Sequence, residues 1–225
     1  MSEPTHKVVP REEWDVVREE ILKKEKELTR TRDKLTAEIR QMPWTEIEKQ
    51  YFFDTPHGKQ SLSDLFEDKS QLFVIHLMFD PESNEACQSC SFWADSYDGL
   101  RYHLPQRDVS FKAISHAPLE KLLEYKKRLG WEFDWVSAYN GDFNSDFGWS
   151  SEGKTGETDD AKLTEKPGFS VFYREGDNVY QTYYSTWRGL EVLNPVYAAL
   201  DLVPKGRDEK ELPWPMAWVK RHDEY

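Results

Sequence analysis

Cysteine is scarce in this chain of 225 residues, which contains only Cys87 and Cys90. There is therefore no second CxxC to complete a four-cysteine zinc site. Positive charge is also in deficit, because 30 Lys and Arg face 42 Asp and Glu, for a net charge of −12. Phosphate contacts need clustered Lys and Arg, so this balance argues against nucleic acid as a partner.

Long apolar runs are absent as well. No stretch approaches the ~20 apolar residues that a membrane helix needs, so no membrane partner is expected. Residues 1–7 lack the charged and apolar regions of a signal peptide, which makes the cytoplasm the expected location. In that compartment structural disulfides are rare, and a CxxC is more often catalytic or metal-binding.

Aromatic residues, by contrast, are abundant. The chain has nine Trp, eleven Tyr and twelve Phe, and 38% of its residues are hydrophobic. This composition can build a sizeable core and is too aromatic for a disordered chain.

The N-terminal part predicts one long helix. Residues 11–41 contain neither Gly nor Pro, and four apolar residues recur there every seven positions: Trp14, Ile21, Leu28 and Leu35. We therefore divide the chain into a helical arm, residues 1–41, and a second domain, residues 42–225. The narrow stripe either packs on its own domain or forms a homodimer.

The second domain alternates strands with helices. A continuous apolar run, residues 72–79, predicts a strand covered on both faces, and the CxxC then opens a helix at 91–104. Further predicted elements are a strand at 109–114, a helix at 118–128, a half-exposed strand at 131–135, a long loop at about 138–167, a hairpin at 169–173 and 179–183, and a helix at 189–200. This order indicates an α/β fold with a mixed sheet and flanking helices, as in thioredoxin-like proteins.

Several separated motifs resemble a bacterial thioredoxin-like family of unknown function. They are residues 26–30, 130–133, 142–147 and 221–225, together with Ser91 after the CxxC and the Ala94-Asp95 pair. The resemblance covers nearly the whole chain and implies a thioredoxin-like fold without a known substrate. More distantly, residues 53–59 are similar to the N-terminal part of peroxiredoxin and thiol-disulfide reductase domains.

The dithiol is the candidate catalytic site. The first cysteine of a CxxC that opens a helix lies beside unpaired backbone N–H groups, which favour its thiolate. Cys87 is thus the predicted attacking thiol, and Cys90 the resolving one that displaces a mixed disulfide. Glu85 is expected to oppose thiolate formation, and Ala86 and Gln88-Ser89 stand where thioredoxins usually have Trp and Gly-Pro.

Two further features are candidates for the site. Thioredoxin-like proteins place a cis-proline against the dithiol, and Pro167 stands at about that place; the alternative is an ordinary trans proline. A substrate groove is the other candidate, and the alternative for its residues is packing in the core. The groove candidates are Trp93, Trp131, Trp135, Phe143 and Phe147.

The function predicted from these residues is thiol-disulfide exchange without a dissociable cofactor, on a protein or small-molecule disulfide or thiol. One alternative is a binding module that keeps the fold without the chemistry. Another is a copper or zinc protein, since His76 and Met78 lie near the cysteines, although both are expected in the core. A one-cysteine peroxidase is not expected, because its Pro-x-x-x-Thr/Ser-x-x-Cys motif would need Pro where Asp80 stands and Thr or Ser where Asn84 stands.

Overall fold

The computed structural model describes residues 6–154 and 161–225. The chain divides into two compact units, Met1–Pro43 and Trp44–Tyr225. Within the described ranges, none of the helices combines the length and the apolarity that crossing a membrane requires.

The first unit contains one helix, α1, which spans Arg11–Ile39. Its 29 residues confirm the long N-terminal helix expected from the absence of Gly and Pro. Trp14 and Leu28 of the seven-residue stripe are exposed. The surface that the stripe packs against stays a prediction.

The second unit contains ten strands and five further α-helices in its described residues, with four short 3-10 helices between and after them. The strands are β1 Thr45–Glu46, β2 Phe52–Thr55, β3 Gly58–Ser61, β4 Gln71–His76, β5 Val109–Ser115, β6 Trp135–Ser137, β7 Ser150–Lys154, β8 Ala161–Glu165, β9 Gly168–Glu175 and β10 Asn178–Thr186. The helices are α2 Gln88–Ala94, α3 Leu100–His103, α4 Leu119–Arg128, α5 Phe143–Asp146 and α6 Pro195–Leu200.

Eight strands form one mixed sheet in the order β1-β10-β9-β4-β5-β6-β2-β3, and β7 and β8 pair separately. The central strands β4, β5 and β6 are parallel, whereas β9 runs antiparallel to β4 and forms the predicted hairpin with β10. The connection from β4 through α2 and α3 to parallel β5, followed by the hairpin, is the thioredoxin-like arrangement expected from the sequence.

The central strand buries both of its faces, as the unbroken apolar run predicts. Ile75 packs in one hydrophobic cluster with α2 and α4, and Leu72 and Val74 pack in the other with Phe53 and Phe66. The dithiol lies at the edge of the first cluster, because α2 follows the carboxyl end of β4.

The predicted helix at 91–104 is shorter and interrupted. It begins at Gln88 and ends at Ala94, and a turn separates it from α3. The turn carries Asp98, whose carboxylate accepts hydrogen bonds from the backbone N–H groups of Glu132 and Phe133 at 2.9 and 2.8 Å.

The same contacts explain why the expected half-exposed strand at 131–135 is wrong. Two backbone N–H groups there bond to a carboxylate instead of a strand, so β6 begins only at Trp135. The rings of Trp131, Phe133 and Trp135 are all buried in the first cluster. The three rings lie against one another, as the alternation predicts, but they do so in the interior of the domain.

The segment predicted as a long loop, 138–167, is also more ordered than expected in its described residues. It contains α5 and the paired strands β7 and β8. Its aromatic residues explain the order: Phe143 packs in the second cluster, and Trp149 stacks on His76 with 3.9 Å between ring centroids. A polar segment anchored by buried rings gains enough apolar burial to adopt a fixed path.

Candidate functional site

The two cysteines share the first turn of α2. Cys87 is the N-cap residue, with φ −50° and ψ 127°, and its backbone N–H donates to Met78 O at 3.0 Å. Ser91 donates its hydroxyl to Cys87 O at 3.0 Å and hydrogen-bonds Tyr125 at 2.9 Å. Cys87 is half-buried, whereas Cys90 is 6% exposed. The segment just after β4, through Met78, and helix α4, through Tyr125, thus both hydrogen-bond to the first turn of α2, which carries the dithiol.

The thiols are chemically unequal. The side-chain hydrogen bond with Cys90 lowers the pKa of Cys87 to about 6, helped by the backbone N–H groups of Cys90 and Ser89 and by the charge of Arg221. The same hydrogen bond and burial raise the pKa of Cys90 well above its ordinary value. At neutral pH the partly exposed sulfur is therefore a thiolate and the buried sulfur a protonated thiol.

Arg221 removes the opposition expected from Glu85. Its guanidinium contacts Glu85 at 3.0 Å and donates to Ala86 O at 3.1 Å and to the Tyr125 hydroxyl at 2.6 Å. Arg128 contacts Glu85 from the other side at 2.5 Å. Two cations thus engage the carboxylate beside the dithiol, and the expected unfavourable charge is compensated.

Glu165, at the end of β8, is a second acidic group at the site. Burial raises its pKa to about 7, although its carboxylate accepts hydrogen bonds from the backbone N–H groups of Phe79 and His116. The charge of Cys87 also raises it, and Glu165 in turn raises the pKa of Cys90. The pKa of this carboxyl therefore lies near neutral pH, close to that of Cys87.

Two cavities meet at Cys87. The dithiol cavity has a volume of about 550 Å³ and is lined by both cysteines and mostly apolar side chains, including Met78, Trp93 and Leu190. The polar cleft has a volume of about 440 Å³ and is lined by Cys87 with Glu165 and Arg221. Cys87 is thus the residue at which an apolar cavity and a polar cleft adjoin.

Pro167 lines the dithiol cavity, close to the cysteines as predicted, but its peptide bond is not cis. The described residues contain no cis peptide bond. The preceding strand β8 pairs with β7, and Lys166 N–H donates to Trp149 O at 2.8 Å, so the chain arrives at Pro167 along an extended path. The trans isomer, the commoner one, fits that path.

The predicted aromatic groove does not form as a unit. Trp93 is the one groove candidate that lines the dithiol cavity. Trp131 and Trp135 are core residues of the first cluster, while Phe143 and Phe147 pack in the second. Burying a large aromatic ring against either face of the sheet is more favourable than leaving it exposed in a groove, because more apolar surface is removed from water.

His76 and Met78 bear on the metal alternative. His76 is 2% exposed, bonds Ser170 Oγ through Nε2 at 2.9 Å and stacks on Trp149. Burial lowers its pKa well below the ordinary value, so the ring is neutral. Among the described residues, no three His, Cys, Asp or Glu side chains come together as a group that could hold a metal ion.

Four residues at the site are missing from the predicted set: Tyr97, Glu165, Leu190 and Arg221. Arg221 belongs to a C-terminal motif that carries the family resemblance, and this was a usable signal. Glu165 had none, because a carboxylate before a proline in a polar segment is ordinary. Tyr97 and Leu190 read as helix residues, and only the fold brings them to the cysteines.

A protein-family model described as "Bacterial protein of unknown function (DUF899)" matches residues 3–225. The chain belongs to this family, and the resemblance seen in the sequence motifs is confirmed. No curated protein matches it.

Similar solved structures include a cysteine-to-serine mutant of peroxiredoxin Q from Xanthomonas campestris. It has 13% identity and a TM-score of 0.47, over 67% of this chain and 89% of that one. Peroxidoxin BcpB from Mycobacterium tuberculosis has 14% identity and a TM-score of 0.45, over 64% and 86% of the two chains. At this distance no activity is transferred from these proteins to this one.

Proposed function

We propose that this member of the family is a thiol-disulfide oxidoreductase of thioredoxin type, in which Cys87 attacks and Cys90 resolves. The observation that carries the proposal is the asymmetry of the two thiols. A half-buried thiol with a lowered pKa suits the nucleophile. A buried thiol with a raised pKa suits the resolving cysteine, which stays protonated until the mixed disulfide has formed.

The reaction proceeds in two exchanges. The Cys87 thiolate attacks one sulfur of a substrate disulfide R–S–S–R′, forms Cys87–S–S–R and releases R′S⁻. Cys90 then loses its proton, attacks the Cys87 sulfur and releases RS⁻, leaving a Cys87–Cys90 disulfide. Two electrons pass from the dithiol to the substrate, and an external dithiol reductant restores the thiols.

Glu165 is the group we assign to the proton of Cys90. In the mixed disulfide Cys87 carries no charge, so the carboxyl, whose pKa of about 7 reflects burial first and the Cys87 charge last, becomes easier to ionise. An ionised carboxylate in the polar cleft is a base of suitable strength near neutral pH.

The proposal includes a setting in the cytoplasm. A reducing compartment returns a dithiol to its reduced form between exchanges. A structural role for the pair would need the disulfide there, whereas exchange needs the thiolate.

Alkylation and trapping test the proposal. Iodoacetamide should modify Cys87 at a rate that rises through about pH 6, because the thiolate fraction increases as pH passes its pKa. Cys90→Ser should accumulate a stable mixed disulfide with a model disulfide substrate, and Cys87→Ser should form none. The two variants are matched controls, since each removes one of the only two cysteines.

Two outcomes would contradict the proposal. One is disulfide reduction that survives in Cys87→Ser. The other is a pair of thiols that stays inert to alkylation in the folded protein, which would instead favour the non-catalytic binding module.

A further inference from the structure

The dithiol cavity has the size and the lining of a small-molecule site. Its volume of about 550 Å³ lies within the range of ligand pockets, roughly 300–1,000 Å³. Met78, Trp93, Leu190 and Met216 contribute apolar wall, and Cys90 contributes its sulfur. An organic molecule held here would lie directly against the dithiol.

One buried polar atom belonging to a residue of this wall can be assigned to a ligand, the Tyr97 hydroxyl. It has no hydrogen-bond partner among the described residues, and Tyr97 packs in the first cluster with Cys90 and is 1% exposed. His76 Nδ1 also has no partner there, but its ring stacks on Trp149 and Phe143, on the opposite face of β4 from Cys90. Leaving such a group unpaired costs about 1–3 kcal/mol, so most buried polar groups have partners. A ligand with a hydrogen-bonding atom would supply the partner that the Tyr97 hydroxyl lacks.

The charged groups of the wall, in contrast, have partners within the protein. Arg207 contacts Glu191 at 3.0 Å and Asp201 at 2.7 Å. Glu209 accepts hydrogen bonds from the Tyr197 hydroxyl and from Trp218 Nε1, both at 2.7 Å. A charged ligand would have to displace these contacts, whereas a neutral one need not.

We propose that the dithiol cavity binds small, neutral, aromatic or otherwise apolar organic disulfides as substrates, with the Tyr97 hydroxyl as a hydrogen-bonding group for the ligand. This inference rests on the proposed function and names its substrate class. Cys87 attacks one sulfur and expels the first organic thiolate, and Cys90 displaces the second from the mixed disulfide. The exchange thus yields the Cys87–Cys90 disulfide, two organic thiolates and the one proton that Cys90 gives up.

Kinetics with two activated aromatic disulfides test the charge preference. The probes are neutral dithiodipyridine and doubly anionic dithiobis(nitrobenzoate), at high salt to screen the net charge of the protein. Each rate is divided by the rate with free N-acetylcysteine, which removes the intrinsic reactivity of the probe. We expect a normalised preference of about tenfold for the neutral probe, equivalent to ~1.4 kcal/mol. Equal normalised rates would overturn the inference.

Binding of a redox-inert analogue tests the cavity without the chemistry. The probe is dipyridylethane, in which an ethylene bridge replaces the disulfide, titrated into the reduced protein by calorimetry. Tyr97→Phe should weaken its binding about threefold to tenfold, the value of one hydrogen bond. Tyr102→Phe is the matched control, because that ring is 58% exposed and lies outside the cavity wall.

A second variant reduces the space instead of the polarity. Met216→Trp should abolish dipyridylethane binding by filling the cavity, and Leu202→Trp, at a residue that is 85% exposed, should leave it unchanged. Binding that is absent from the wild type, or unaltered in both cavity variants, would refute the substrate class even if Cys87 forms mixed disulfides. Binding without any exchange would instead refute the proposed function and leave the site standing.

Discussion

The dithiol cavity and the polar cleft touch the same sulfur but provide opposite environments. The dithiol cavity contains Cys90, whose pKa is raised by the hydrogen bond with Cys87 and by burial among apolar side chains. The polar cleft contains Arg221 and Glu165, which supply a positive charge and a proton-exchanging carboxyl. Two thiols three residues apart on one helical turn therefore differ in pKa, because their surroundings differ.

The largest expected effect on stability is at Gly168, which follows Pro167 of the dithiol cavity wall. A Cβ there would overlap the Trp149 ring and come within 2.7 Å of Ser185 O. Since Trp149 stacks on His76, Gly168→Ala should force both rings to move and lower the free energy of unfolding by about 3 kcal/mol. Urea denaturation measures it. Gly99→Ala, with no atom within 4 Å of its Cβ, is the control and should be nearly neutral.

On the cleft side, Glu165→Gln should change the pH dependence of stability. Folding raises the pKa of Glu165 from 4.5 to about 7, so its stabilising contribution is complete below pH 4.5 and is lost as pH rises through about 7. From about pH 5 to pH 8 the wild type should lose about 2 kcal/mol relative to the variant. Urea denaturation at both pH values measures this difference.

Exposed Glu82, in the loop between β4 and α2, offers a control for Glu165. The free energy of unfolding of Glu82→Gln should depend on pH in the same way as that of the wild type from pH 5 to pH 8. If that of Glu165→Gln does so too, the carboxyl does not titrate near neutrality, and its assigned role in deprotonating Cys90 fails with it.

A smaller effect is expected at Arg221, the cation of the cleft. Its charge lowers the pKa of Cys87, so Arg221→Gln should move the alkylation profile of Cys87 to higher pH and cost roughly 1–2 kcal/mol of stability through lost hydrogen bonds. Arg128→Gln is the comparison, since Arg128 shares Glu85 but donates to neither Tyr125 nor Ala86. If the two variants showed the same pH dependence of Cys87 alkylation, Arg221 would have no specific effect on the pKa of Cys87.

The smallest effect should appear at Trp131, which belongs to neither cavity. Its Nε1 donates to Asp95 at 2.8 Å, and Trp131→Phe should cost about 1 kcal/mol while the rate of disulfide exchange stays unchanged. A selective loss of exchange without a change in stability would restore the predicted groove. Trp93→Phe, at a cavity residue that donates to Leu190 O at 3.1 Å, provides the contrast and should affect exchange.

The elements closest to local sequence rules were predictable. The helix over Arg11–Ile39 follows from the absence of Gly and Pro, and the hairpin of β9 and β10 follows from two apolar runs around a Gly-containing turn. The aromatic groove failed for the opposite reason. The tertiary fold decides which face of the sheet a ring packs against, and Trp131 and Phe143 pack against opposite faces of the same sheet.

Sequence alone determined the dithiol, because the spacing of Cys87 and Cys90 after a buried strand already places both sulfurs on one helical turn. Tertiary structure decided what surrounds them. Glu165, Arg221 and Tyr97 lie 75, 131 and 7 residues from Cys90 along the chain, and no local pattern relates the first two to a cysteine. Charge and burial act through space, so the pKa values that make two thiols unequal exist only once distant segments have packed around them.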